Sequence, residues 1–97
     1  MKVRFSRQAS SDLTEIKAYH EQEGRAATLH VRGAILAAVE ILRRRPAIGI
    51  RTAMSADLRS KLVVGYPYRI HYRVRDGALE IFHVRHTARQ PWRGVGE

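Results

Sequence analysis

The sequence predicts an α+β fold: an N-terminal strand, then an antiparallel helical hairpin packed on a three- to four-stranded antiparallel sheet. Three observations lead there. Apolar residues recur at helical spacing through the first half of the chain, the period changes to two after Asp57, and Asp76-Gly77 marks a tight hairpin between two alternating runs. The 97 residues suffice for one modest core, so positions 1–97 read as a single domain.

Taken in order, Lys2-Val3-Arg4-Phe5 alternates polar and apolar side chains as an edge strand does. Ser6 is placed to cap a helix in which Ala9, Leu13, Ile16 and His20 share a side. Asp12 and Glu15 fall in its first turns, where the helix dipole favours carboxylates. Gly24 ends it. A second helix runs from about Arg25 to Arg44, with the stripe Ala27, Val31, Ala34, Ile35, Ala38, Ile41 and Leu42. Arg43 to Arg45 suit its C-terminal end, and Pro46 stops it. The short glycine-containing turn between the helices makes them an antiparallel pair.

Residues 48–57 read as irregular, and Leu62-Val63-Val64 as a strand. In the next strand Tyr68, Ile70, Tyr72 and Val74 alternate with Arg69, His71, Arg73 and Arg75, giving one apolar and one cationic face. Leu79 to Arg85 returns after the turn. With Asp76 and Gly77 as the two loop residues, Val74 faces Leu79 and Tyr72 faces Ile81 on the core side. On the other side Arg73 meets Glu80, His71 meets Phe82, and Arg69 meets Val84. That second face is therefore expected to mix cations with an apolar spot at Phe82 and Val84.

Charge narrows the partners. Eighteen basic residues against nine acidic ones give a formal +9. Residues 1–40 hold six basic and five acidic side chains, whereas residues 41–97 hold twelve and four. A basic half implies a polyanionic partner, either nucleic acid or an acidic protein. The absence of cysteine excludes a disulfide scaffold, a thiolate zinc site and a cysteine nucleophile. His83 and His86 are three apart on a strand and so point to opposite faces; no metal site and no cofactor are expected. The start carries no long apolar run and no later segment is long enough to span a bilayer, so the expectation is a cytoplasmic protein with no membrane partner.

The order strand, helical hairpin, then a meander with Tyr68-Arg69-Ile70-His71-Tyr72-Arg73-Val74 and Ile81-Phe82-His83-Val84-Arg85-His86 resembles the RelE/ParE toxin superfamily. So do the opening Phe5-Ser6 with Ala9 and Asp12-Leu13, the Pro46/Gly49 connection, and the ending His86-Thr87-Ala88-Arg89-Gln90-Pro91-Trp92. The resemblance covers nearly the whole chain. It implies a small basic toxin of a type II toxin–antitoxin system, neutralised by a cognate acidic antitoxin, ParD-like or other. Operator DNA would be met only through the antitoxin complex.

The superfamily contains two main activities. RelE-like members cleave messenger RNA on the ribosome without metal, which needs a base, cations for the phosphorane charge and an acid. The residues that resemblance assigns to this set are Arg59, Lys61, Arg69, His86 and Arg89; lysines are reduced to Lys61, and no tyrosine follows Arg89. ParE-like members poison DNA gyrase instead. The Val84-Arg85-His86-x-x-Arg89 ending and the well-patterned helical pair favour that version, which needs no catalytic constellation. Target or antitoxin binding then falls to Arg69, Arg73, Phe82, Val84, Arg85, Arg89 and Trp92. A third class, a plain basic nucleic-acid-binding module, fits the charge, but no helix-turn-helix, zinc-finger or RRM signature accompanies it.

Overall fold

The computed structural model describes residues 1–53, Ser55 and residues 57–88. Along the chain come β1 (Lys2–Phe5), α1 (Arg7–Glu21), α2 (Arg25–Arg44), a 3-10 turn at Pro46–Ile48, β2 (Ile50–Arg51), β3 (Arg59–Leu62), β4 (Tyr68–Arg75) and β5 (Ala78–His86). One sheet holds all five strands in the order β1-β5-β4-β3-β2. The predicted α+β architecture is present, but the sheet is larger and mixed. β1 lies parallel to β5, while the other neighbours are antiparallel. Parallel pairing needs a long connection, and everything from α1 to β4 lies between these two strands.

The helices begin and end where their local chemistry dictates. The Ser6 hydroxyl accepts the Ala9 N–H at 3.0 Å, capping α1. Gly24 has φ of 109°, an angle that side chains disfavour, and opens α2 directly after the turn. The buried stripe of α2 is Val31, Ile35, Ala38, Val39 and Leu42. Ile41, predicted within it, is exposed; Val39 takes its place because 35, 38, 39 and 42 form the i, i+3, i+4, i+7 set. In α1, Ala9, Asp12, Ile16 and His20 are buried, so Asp12 is a core-side residue rather than a dipole partner in the first turn.

Two sheet boundaries differ from expectation. β3 begins at Arg59 and ends at Leu62, because pairing with β4 and not local apolarity sets its extent. Val63 is buried beyond the strand, while Val64 is 80% exposed in the turn made by Gly65, whose φ is 85°. Within the stretch read as irregular, Ile50–Arg51 forms a short edge strand on β3.

The β4–β5 hairpin follows the predicted turn: Asp76 and Gly77 both have positive φ, 53° and 71°, as a type I′ turn requires. The predicted register holds from Arg75↔Ala78 to Tyr72↔Ile81. A β-bulge then intervenes between His71 and Tyr72, and the pairs become His71↔His83, Ile70↔Val84 and Arg69↔Arg85. Phe82 is the extra residue, so every later side chain of β5 changes face. Val84, expected on the cationic face, is 3% exposed within the core.

The core joins both helices to the inner face of the sheet through Ala9, Ile16, Val31, Ile35, Leu42, Ile70, Tyr72, Leu79, Ile81 and Val84. Tyr72 is fully buried, and its hydroxyl accepts the Gly49 N–H at 2.9 Å and donates to the Pro46 carbonyl at 2.5 Å. This pins the turn after α2 against the central strand. A Cβ on Gly49 would land on the Tyr72 ring and hydroxyl, so glycine is required there for closeness. Gly49→Ala is expected to destabilise the chain by about 1–3 kcal/mol, read as a lower urea midpoint with an unchanged slope. An unaltered midpoint would show that the turn yields freely.

Candidate binding surfaces

Helices cover only one face of the sheet. Register places Glu80, Phe82, His83 and Arg85 of β5, Arg69, His71 and Arg73 of β4, Ser60 and Leu62 of β3, and Ile50 of β2 on the other. This helix-free face has two parts, and on it Ser60 and His71 are buried, each 5% exposed. At the hairpin end, Arg73 donates from Nε to Glu80 at 2.8 Å, and its guanidinium lies 4.4 Å from the Phe82 ring centre. Arg73 and Phe82, both predicted binding residues, are thus engaged with each other.

The second part lies beyond the bulge. Arg69 donates from Nη1 to the Ser60 hydroxyl at 2.8 Å. Directly across, Arg85 donates from Nε to His71 Nε2 and from Nη1 to the His86 carbonyl, each at 3.4 Å. The His71 and His83 rings stack with centroids 6.0 Å apart. Burial pushes His71 down to a pKa of about 4, with the charges of Arg85, His83 and Arg69 adding to the effect. A neutral ring is also what the bond from Arg85 to Nε2 requires.

His83 is oriented from the opposite side. Its Nδ1 donates to Asp12 Oδ2 at 2.5 Å, and the same oxygen accepts the Val84 N–H at 2.9 Å. Burial alone would lift the Asp12 carboxyl, but hydrogen bonds from His83, Val84 and Gln8 bring it below the ordinary carboxylate value. Nothing in the sequence pairs Asp12 with His83, since they are 71 residues apart.

The residues of the nuclease alternative do not share a face. Arg59 and Lys61 oppose Tyr72 and Ile70, and His86 opposes Tyr68, so all three belong to the helix side of the sheet. Arg59 is tied to the Ala47 and Gly49 carbonyls at 3.2 and 2.9 Å. The His86 ring packs edge-on against Tyr68 at 5.6 Å. Arg69 is on the opposite face. Arg89 and Trp92, named in both sets or in the binding set, lie outside the described residues.

A second surface was not anticipated. Phe5, Leu13, Ile16, Leu29, Ile35 and Leu36 wall an apolar groove of about 490 Å³ between the two helices and β1, with Lys17 and Arg32 among its lining residues. Leu29 and Leu36 are 49% exposed. The signal for it is their seven-residue spacing, a second apolar row beside the core stripe of α2. His20, read as a surface or boundary residue, is buried; its Nε2 meets the Tyr68 hydroxyl at 3.0 Å and its Nδ1 meets Glu23 at 3.1 Å. Among the described residues no cluster of three or more His, Cys, Asp or Glu could hold a metal, and no helix is long and apolar enough to cross a membrane.

A family model described as the ParE toxin of the type II toxin–antitoxin system, parDE, matches residues 3–91. The chain belongs to the ParE toxin family. Among solved structures it is similar to the chromosomal ParDE toxin–antitoxin system from P. aeruginosa, with a TM-score of 0.76. The match covers 89% of this chain and 95% of that one at 19% identity, a likeness of fold. No curated protein sequence matches. This ParE-family chain therefore carries two distinct surfaces: the bulged cationic face of the sheet and the apolar groove beside the helices.

His71 makes the first of these sensitive to acid. Its folded pKa of about 4 lies below the ordinary 6.5, so between those values the unfolded chain takes up a proton that the folded chain refuses. Stability is therefore expected to fall as pH drops through that window, by about 3 kcal/mol in full. Urea denaturation at pH 7 and pH 4.5 measures it, and His71→Gln should flatten the difference. An equal loss in the variant would assign the acid sensitivity elsewhere.

Proposed function

We propose that this chain is the growth-inhibiting partner of a toxin–antitoxin pair, that it acts by poisoning DNA gyrase, and that an acidic antitoxin neutralises it. The gyrase target rests on membership of the ParE family. It gains support from the arrangement of the alternative nuclease residues, with Arg59, Lys61 and His86 on one face of the sheet and Arg69 on the other. Metal-free RNA cleavage needs its acid, base and cations around one phosphate.

The single observation that carries the antitoxin reading is the apolar groove with its basic lining residues. An acidic amphipathic segment that folds on binding would lay its apolar side on Leu13, Leu29 and Leu36 and its carboxylates near Lys17 and Arg32. This moves the antitoxin away from the Phe82/Val84 spot, since Val84 is buried. The charge of the chain would steer the encounter, so association should slow as salt rises.

Gyrase supercoiling and ribosome-dependent messenger cleavage, assayed in parallel with the purified chain, test the activity. Supercoiling should be inhibited, messenger should stay intact, and the product of an adjoining acidic open reading frame should relieve the inhibition. Messenger cleavage without gyrase inhibition would overturn the reading. Leu29→Glu and Leu36→Glu change exposed positions and should weaken antitoxin binding by at least about 100-fold, equivalent to about 3 kcal/mol, while leaving gyrase inhibition in place. Unchanged antitoxin affinity would remove the groove from the account but not the gyrase target.

A further inference from the structure

Gly33 occupies the interior of α2, where glycine disfavours the folded chain about fivefold relative to alanine. Two features of a fold call for such a glycine, a left-handed backbone angle or a close neighbour. Gly33 has neither among the described residues: its backbone is helical, and a Cβ built on it meets no atom within 4 Å. Gly49 is the contrast, since a Cβ there lands on the Tyr72 ring. Leu29, Arg32, Gly33 and Leu36 stand at i, i+3, i+4 and i+7, the four corners of one hole on a helix surface. Three of these corners, Leu29, Arg32 and Leu36, line the apolar groove. The missing Cβ deepens the hole between two half-exposed leucines. Around it the outward positions of α2, Ala26, Leu29, Gly33, Leu36 and Ala37, are all exposed and carry no charged group.

We infer that Gly33 is the seat for a large apolar side chain of the antitoxin, at the point where a helix of that partner crosses α2. The inference rests on the antitoxin reading of the groove and adds to it the residue that selects the partner. Helices interlock when a knob side chain of one enters a hole of four residues on the other. With no Cβ at one corner, an aromatic knob can reach the α2 backbone and bury its faces against Leu29 and Leu36. Arg32, another corner, is exposed and makes no salt bridge among the described residues, so a carboxylate beside the knob gains a guanidinium partner there. Charge favours an acidic helix over a second copy of this chain, since two molecules of formal +9 repel. A partner with a small side chain at the crossing would leave the notch empty, so the hole also discriminates among antitoxins. The glycine that disfavours the chain alone thus makes room in the complex.

The test sets stability against affinity for the product of the adjoining acidic open reading frame. Gly33→Ala should raise the urea midpoint by roughly 0.5 M, because no neighbour resists the added methyl. The same change should weaken antitoxin binding about tenfold, and Gly33→Leu, which fills the hole, at least about 100-fold. Ser11→Ala, exposed on α1 and outside the groove lining, should leave the affinity unchanged. Alanine substitution at each large apolar residue of the antitoxin should reveal one position whose loss is large against the native chain and absent against Gly33→Leu, the signature of direct packing. Antitoxin binding that is sensitive to Leu29→Glu but indifferent to Gly33→Leu would overturn this inference and leave the groove reading standing. Binding indifferent to both changes would overturn the two together. If Gly33→Leu removes gyrase inhibition or self-association while antitoxin affinity stays, this face belongs to the target or to a second copy, and the inference fails.

Discussion

β1 stops at Phe5 while its neighbour β5 continues to His86, and the length of β5 edge left over is held by the start of α1. Ser6 takes the first part: its N–H donates to the Ile81 carbonyl at 2.9 Å and its hydroxyl to the Phe82 carbonyl at 2.7 Å. Asp12, one and a half turns into the helix, takes the next, accepting the Val84 N–H where a further β1 residue would have offered a carbonyl. A buried backbone N–H left without an acceptor costs about 1–3 kcal/mol, and a carboxylate acceptor is stronger than a carbonyl. The helix is thereby fixed to the strand at the point where the strand leaves its regular ladder.

Both candidate surfaces depend on that attachment. Phe82 is the bulge residue, and Ser6 and Asp12 grip the backbone on either side of it. The bulge decides that Arg85 joins Arg69 on the face away from the helices while Val84 sinks into the core. Asp12 also takes the His83 ring, which sets the stack against His71. On the reverse side the same placement of α1 leaves Leu13 and Lys17 facing α2 across the groove. One carboxylate thus contributes to the shape of two surfaces, through the backbone geometry it fixes.

Much of this was legible in the residues, wherever one interaction dominates locally. The span of α2, the Ser6 cap, the Asp76-Gly77 turn and the Arg73–Glu80 pair all follow from periods, caps and turn chemistry within a few residues. Tyr68 and Tyr72 were readable as core by alternation alone. What lay out of reach was set by long-range partners. The parallel place of β1 depends on which edge of the meander is open, and the bulge depends on Asp12 reaching a strand 72 residues away. Because strand periodicity is two, that single irregularity moved Val84 from the cationic face into the core. The groove was hidden for another reason: Leu29 and Leu36 sit beside a stronger core stripe, which draws the eye to the residues that face inward.

The measurement that bears most directly on this account is amide hydrogen exchange at Val84, compared between the native chain and Asp12→Ala. The account requires slow exchange at Val84 in the native chain. It requires a selective acceleration there in the variant, with Leu79 and Tyr72 still protected because the regular part of the hairpin does not depend on Asp12. Equal protection of Val84 in both chains would mean that the edge of β5 is held without Asp12, and that the helix does not position the bulge.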